Sequence, residues 1–219
     1  IYGVFGGARP TPPTPTVDYM YFEAVNANST VALTSTLTTA PNLEYSTDGV
    51  TWQEWQHTTA DDVHTFDTIT LGAVGDRVYL RGDNSNGLGI LPEGAGRPLF
   101  SHFDMTGKIA AGGNIMSLLD KNMEMTEIPA YGLSLLFGDI TEENPNTSLT
   151  ATAAMPSVTT IGVSGCDSMY YDCTSLTAAA AMPALTAIGV DGCIGMYNEC
   201  TSLTAAAAMP QLTSIGVSG

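Results

Sequence analysis

The second half of the chain consists of copies of one 27-residue unit, and this period limits the folds open to it. SLTATAAMPSVTTIGVSGCDSMYYDCT begins at Ser148, SLTAAAAMPALTAIGVDGCIGMYNECT follows from Ser175, and the partial copy SLTAAAAMPQLTSIGVSG starts at Ser202. A period of about 20 to 50 residues is typical of solenoids, in which one unit cannot bury its own apolar face and stacks on its neighbours. We therefore predict a short solenoid over 112–219.

A diverged first unit is predicted at 121–147, where it would cap the stack. One repeat step back from Met155 reaches Ile128, and the same step places Asp139 and Asn146 where the later units have cysteines. The predicted register should align the methionines of the later units, which are Met155, Met182 and Met209.

Residues 17–111 have the pattern of an antiparallel β-sandwich or jelly-roll-like module. Apolar and polar residues alternate between Val31 and Leu37, which is the period of a half-buried strand. Asp48 and Gly49 separate two such runs and predict a type I′ hairpin, in which both central residues have positive φ. About six short strands with turn residues between them are typical of such modules. Other predicted strands lie at 66–71, 77–81 and 100–105.

Residues 1–16 are predicted to connect this module to an upstream segment. IYGVFGG at 1–7 has the composition of a strand end, and ARPTPPTPT at 8–16 favours extended polyproline II. Because the chain has no initiator methionine and stops within a repeat, we expect it to be part of a longer product.

The charge distribution disfavours some partners. The net charge is −16, from 6 basic and 22 acidic residues, and every basic residue lies within the first 121 positions. Phosphate binding needs clustered lysine and arginine, so nucleic acid and anionic membranes are disfavoured. No apolar run approaches the ~20 residues of a membrane-spanning helix. Solubility is the simpler interpretation of the acidity, and binding of cations or of a basic partner is the alternative.

The repeats resemble the BspA-like (Treponema-type) leucine-rich repeats. The similar motifs are MPALTAIG from Met182 and CIGMYNECTSLT from Cys193. The period is longer than is usual in that family, and the alanine run at 178–181 is atypical. The resemblance implies a leucine-rich-repeat-type solenoid with short helical turns. It also implies an extracellular adhesion protein, on the surface of gut or oral bacteria such as Bacteroidetes or on the virions of their phages.

The four cysteines form two Cys-x6-Cys pairs, Cys166 with Cys173 and Cys193 with Cys200. A helical turn would separate the two thiols of one pair by about 10 Å, which is too far for a disulfide. Stacking should instead bring Cys166 near Cys193 and Cys173 near Cys200, as a ladder. Buried free thiols are the favoured interpretation, and disulfides between repeats or a metal site are the alternatives.

Two groups of aromatic residues are candidates for a recognition surface. Tyr170, Tyr171 and Tyr197 recur in successive repeats, where they belong either to a stacked core or to an exposed stripe that contacts a partner. Trp52 has the strand parity of a core residue. Trp55 has the opposite parity and is a candidate for a partly exposed platform that stacks on carbohydrate.

No catalytic, metal or cofactor site is predicted. His57, His64 and His102 lack the spacing of metal ligands, and the sequence has neither a phosphate-binding glycine loop nor a Gly-x-Ser-x-Gly elbow. The oxygen-rich segment 83–87 lacks an acidic ligand at the spacing of a calcium loop, and turn chemistry explains it.

The sequence therefore predicts a non-enzymatic recognition or adhesion protein, with a phage virion fibre or appendage favoured over a bacterial surface adhesin. Its expected partners are a host-cell surface glycan or protein and neighbouring subunits, including copies of itself. One alternative is a structural virion subunit that decorates a head or builds a fibre. The other is a carbohydrate-binding accessory module of a larger enzyme.

Overall fold

The computed structural model describes residues 17–90, 99–138 and 146–219, and the predicted linker at 1–16 lies outside them. Within these ranges the fold is mainly β, as predicted, and its only helix is a single 3-10 turn at Ile115–Leu118. The strands are β1 Met20–Ala24, β2 Ser29–Ser35, β3 Leu43–Ser46, β4 Gln53–Glu54, β5 His57–Ala60, β6 Val63–Phe66, β7 Ile69–Leu71, β8 Arg77–Gly82, β9 Gly89–Ile90, β10 Leu99–Thr106, β11 Ile109–Gly112, β12 Glu127–Ile128, β13 Leu149–Ala151, β14 Thr160–Ile161, β15 Ala187–Ile188 and β16 Ser214–Ile215.

Two largely antiparallel sheets contain most of these strands. The first sheet has the order β13-β11-β1-β8-β3-β4, and the second has the order β5-β6-β2-β10-β9, with β7 also paired to β2. Every second residue of β2 is buried, as its alternating sequence predicts. Phe22 of the first sheet meets Phe103 of the second, with ring centroids 5.0 Å apart. The apolar faces created by alternation thus pack against each other.

The hairpin at Asp48 and Gly49 forms, but not with the predicted type I′ turn. β3 and β4 pair across a six-residue loop, in which Gly49 has a φ of 74° and Asp48 does not have a positive φ. The Asp48 carboxylate closes the loop by accepting hydrogen bonds from the N–H groups of Val50 and Thr51, at 2.8 and 2.7 Å. An aspartate side chain here replaces the second left-handed residue.

The Asp48 carboxyl should stay ionised at a pH where an ordinary aspartate is protonated. Hydrogen bonds from the Thr51 and Val50 N–H groups and from the Ser46 hydroxyl hold its pKa well below the usual 3.8. Because the folded pKa is depressed, the stabilisation is present above the unfolded pKa and is lost as the pH falls through the folded one. An NMR titration of the Asp48 carboxyl checks this, and a midpoint near 3.8 would contradict it.

The repeats stack as parallel coils. A third sheet has the order β12-β14-β15-β16, and in it Ile161 pairs with Ile188, and Ile188 with Ile215, each one repeat unit apart. A Cβ on Gly189 would lie 2.9 Å from the carbonyl carbon of Gly162, so glycine is needed for this close approach. The coils also bond to each other just beyond these strands, as from the Gly189 N–H to Ile161 O at 2.8 Å. The coils are numbered first (121–147), second (148–174), third (175–201) and fourth (202–219), and their aligned methionines Met155, Met182 and Met209 belong to or pack against the core.

The first coil does not follow the repeat step that the sequence predicts for it. The step from Ile128 to its partner Ile161 is six positions longer than the repeat, so Ile128 occupies the isoleucine position rather than the methionine position. Leu133 stands in the place of Cys166, because its N–H bonds to the second coil as the Cys166 N–H bonds to the third. The predicted occupant Asp139 lies outside the described residues.

The additional residues of the first coil fall in one place. Phe137 still follows the longer step, since its N–H donates to Met169 O at 3.0 Å. Ala151 has returned to the ordinary repeat step, since it pairs with Ala178. The six additional residues therefore lie between 138 and 150. Asn146, which was predicted at the place of Cys173, donates from Nδ2 to Phe137 O at 3.0 Å.

Tight turns occupy the segment where short helical turns were predicted. The N–H groups of Cys166, Ser168 and Tyr170 donate to the following coil, whereas the N–H groups between them bond three residues back within their own coil. Ser164, Ser168 and Asp172 have positive φ, at 49°, 50° and 57°. An α-helix requires negative φ and N–H groups bonded four residues back, so the bonds between coils exclude it.

The two halves of the chain share one core. β13 of the second coil extends the first sheet by pairing in parallel with β11. Phe103 of β10 stacks on Phe137 of the first coil, with centroids 5.3 Å apart and ring planes 22° apart. Lys108 adds a polar link, since its Nζ donates to Ser175 Oγ at 2.6 Å. A sheet and the apolar interior therefore cross the predicted boundary at residue 111.

Candidate functional site

The tyrosines of the repeats do not form an exposed stripe. Tyr170 is completely buried, and Tyr171 and Tyr197 are half-buried. Tyr170 stacks between Phe137 and Tyr197, with centroid distances of 5.1 and 5.5 Å. Burial raises the pKa of Tyr170 and of Tyr197 above the usual value of 10. The aligned rings thus belong to the interior, and Tyr170 cannot contact a partner.

Each of the two tryptophans lies in the environment that was predicted for the other. Trp55 is only 1% exposed, so its proposed role as a surface platform is wrong. Its ring lies against Phe66 at 5.4 Å, and its Nε1–H donates to Asp67 O at 2.7 Å. Trp52 is half-buried on the outside of the molecule. Strand parity failed here because Trp52 lies in the loop that precedes β4, where side chains do not alternate.

The outer side of the first sheet carries a cluster of aromatic and charged residues. Met20, Phe22 and Ala24 point into the core, so the alternation of β1 turns the residues between them outward. On this outward side Tyr79 of β8 lies directly opposite Tyr21 of β1, and Arg81 of β8 lies opposite Glu44 of β3. We call this surface the aromatic face; it consists of Tyr19, Tyr21, Glu23, Glu44, Trp52, Arg77 and Arg81, together with Tyr79, which is itself buried.

Arginine side chains lie against the rings of the aromatic face. Tyr19 meets Trp52 edge to face, with centroids 4.7 Å apart. The Arg81 guanidinium lies 4.1 Å from the Trp52 centroid, and the Arg77 guanidinium lies 4.3 Å from that of Tyr21. Such cation–π contacts contribute about 0.5–1 kcal/mol at exposed sites and hold the rings in fixed positions.

The charges of the aromatic face are balanced across neighbouring strands. Arg77 binds Glu23 at 2.5 Å, and Arg81 binds Glu44 at 2.6 Å. Lys121 binds Asp83 beside this face at 2.5 Å, and this contact raises the pKa of the lysine above 10.5. Three of the four basic residues that the structure describes are therefore gathered here, in a strongly acidic chain.

The sequence carries a local signal for this face. YMYFEA at 19–24 alternates as strictly as β2 does, with two tyrosines and a glutamate on one side. Gly112 lies beneath Tyr21, where a Cβ would come within 2.4 Å of the ring, so the neighbouring strand is shaped to accept it. The pairing of each arginine with a glutamate on another strand needed the sheet order and was not visible in the sequence.

The cysteines lie at aligned positions of the second and third coils, and all four are free. The proximity of Cys193, together with burial, raises the pKa of the Cys166 thiol well above its usual value, and Cys166 lowers the pKa of Cys193. Cys173 and Cys200 instead donate to carbonyl oxygens of the preceding coil, at Phe137 (3.5 Å) and at Tyr170 (3.0 Å). The two rungs of the ladder therefore differ, although their sequence spacing is the same.

In the described ranges, no three His, Cys, Asp or Glu side chains are placed to bind a metal ion. His64 is held by Thr59 and by the Leu37 carbonyl oxygen, which gives this ring a structural role. No helix in these ranges has the length and apolar character to cross a membrane. Comparison with protein-family models, with curated proteins and with solved structures gives no match to the chain.

Proposed function

We propose that this chain is a non-enzymatic recognition protein, exposed on a phage fibre or appendage or on a bacterial surface. In this proposal the β-sandwich module presents the aromatic face to a neutral cell-surface glycan. The coils, as a solenoid of the leucine-rich type, extend the module from a rigid shared core. The observation that carries the proposal is the concentration of half-buried Trp52, Tyr19 and Tyr21 with two arginines on one outward sheet face.

The composition of this face suits recognition. Tryptophan, tyrosine and arginine dominate the binding energy of protein interfaces, and aromatic rings lose little rotamer entropy on binding. Paired guanidinium and carboxylate groups offer donors and acceptors to hydroxyls without a net charge. Because Arg77 and Arg81 are already neutralised by glutamates, a phosphate ligand would have to displace these pairs. A hydroxyl-rich, uncharged ligand fits this arrangement better.

Replacing Trp52 with alanine should weaken binding to whole host cells or purified surface glycans by about 10- to 30-fold, the loss of a central aromatic contact. Tyr171→Ala is the matched control, because it removes a half-buried ring from the coils and leaves the aromatic face intact. Binding isotherms with the folded variants measure both. Equal binding by Trp52→Ala and wild type, or a loss confined to Tyr171→Ala, would refute this site. Retained binding to glycan-stripped cells would assign the face to a protein partner.

A structural subunit is the second candidate, and the outer side of the coils favours it. Val163, Val190 and Val217 form an aligned column and are 44%, 45% and 75% exposed. Such a column suits contact with neighbouring subunits of a particle. This role predicts a fixed stoichiometry in purified virions, unaffected by Trp52→Ala and reduced by replacing Val163 and Val190 with serine.

A further inference from the structure

We propose that Cys166 and Cys193 are a redox-responsive pair that closes into a disulfide between the second and third coils, while Cys173 and Cys200 stay reduced. This inference does not depend on the proposed recognition role. It assigns a covalent modification to one rung of the ladder and excludes it from the other.

The backbone places the first pair at a distance suitable for a disulfide. The Cys166 N–H donates to Gly192 O at 2.8 Å, so the two cysteines occupy the same position in neighbouring coils. Paired chains lie about 4.7–4.9 Å apart, within the 4.4–6.8 Å that a disulfide requires between Cα atoms. Leu133 occupies the equivalent position of the first coil, so the first coil supplies no competing thiol in this column.

The side chains distinguish the two rungs. Cys166 and Cys193 share one position in neighbouring coils, and Cys193 is partly exposed, so an oxidant can reach it. The neighbouring Cys166 lowers the pKa of Cys193, which favours the reactive thiolate. Cys173 and Cys200 point instead at carbonyl oxygens of the preceding coil. Burial raises the pKa of Cys200 to about 11, so its thiolate is scarce.

The reaction needs a small-molecule disulfide, such as oxidised glutathione, as the oxidant. The Cys193 thiolate attacks one sulfur of the oxidant, forms a mixed disulfide and expels one thiolate. The Cys166 sulfur then attacks Cys193 and expels the second thiolate. Two cysteine thiols are oxidised, the oxidant is reduced to two thiols, and the two cysteine protons end on those thiols.

The test treats the folded, reduced chain with oxidised glutathione, blocks the remaining thiols by alkylation and maps the linked peptides by mass spectrometry. Cleavage before Asp167, Asp172 and Asp191 and after Glu199 places the four cysteines in four different peptides. We expect one linked pair, Cys166 with Cys193, and two alkylated cysteines. The disulfide should raise the midpoint of thermal unfolding by about 5–10 °C.

Two sets of variants complete the test. Cys173→Ser/Cys200→Ser should still form the disulfide, whereas Cys166→Ser should stop at glutathione bound to Cys193. If Cys166→Ser does not fold, the wild-type peptide map alone tests whether Cys166 is linked to Cys193. A link between Cys173 and Cys200 formed at an equal rate, wild type that stops at the mixed disulfide, or oxidation only after unfolding would each overturn the proposal.

Discussion

Trp55→Ala should lower the free energy of unfolding by about 3–5 kcal/mol, the usual cost of truncating a buried tryptophan. The ring lies between Phe66 and Phe103, at centroid distances of 5.4 and 6.4 Å, in the interior between the two large sheets. Its removal leaves a large cavity there and also deprives Asp67 O of the indole N–H. Urea unfolding followed by circular dichroism measures the loss.

Trp52→Ala is the control for this prediction, because it deletes the same side chain from the surface. Its loss of unfolding free energy should be about 1 kcal/mol, the contribution of the contacts with Arg81 and Tyr19. Equal destabilisation by the two variants would contradict the assignment of Trp55 to the core and of Trp52 to the surface.

Tyr170→Ala should cost a similar ~3–5 kcal/mol, and the loss should be concentrated in the coils. Tyr170 stacks between Phe137 of the first coil and Tyr197 of the third, so its deletion leaves a gap in the middle of the stacked rings. Coils depend on their neighbours for burial, and those beyond the gap should open first. Hydrogen exchange followed by mass spectrometry should show faster exchange in the third and fourth coils than in β1 or β8.

Tyr170→Phe separates the ring from its hydroxyl. Tyr170 Oη is the one buried side-chain oxygen or nitrogen in the described ranges without a hydrogen-bond partner. A buried, unsatisfied polar group costs about 1–3 kcal/mol, so its removal should leave stability unchanged or raise it by about 1 kcal/mol. Destabilisation by Tyr170→Phe in urea unfolding would show that the hydroxyl is satisfied in solution.

The sequence predicted the features that depend on local alternation or on a constant period. The strand at β2 follows from its alternating residues, and the alignment of Ile161 with Ile188 follows from the repeat. The register of Ile128 could not be predicted, because six additional residues further along the same coil shift every position before them. In a diverged repeat unit, nothing in the sequence shows at which position such additional residues are inserted.

The turns and the recognition surface depended on contacts distant in the sequence. Half of the N–H groups around Cys166 bond to the next coil, so no local propensity could show that a helix is absent there. The environments of Trp52 and Trp55 depended on where β4 begins, which the residues around it do not mark. The aromatic face was missed because it unites three strands whose order in the sheet had first to be known.

The hydrogen bonds between coils on the turn side have an electrostatic consequence. The N–H groups of Cys166, Ser168 and Tyr170 all donate forward to the third coil, as that of Leu133 does to the second. The peptide dipoles of these groups therefore point the same way along the axis of the stack, as in a helix. On the strand side, by contrast, the N–H groups of a parallel ladder alternate in direction, so their dipoles largely cancel. The turn side thus carries a partial positive charge toward the fourth coil and a partial negative charge toward the first.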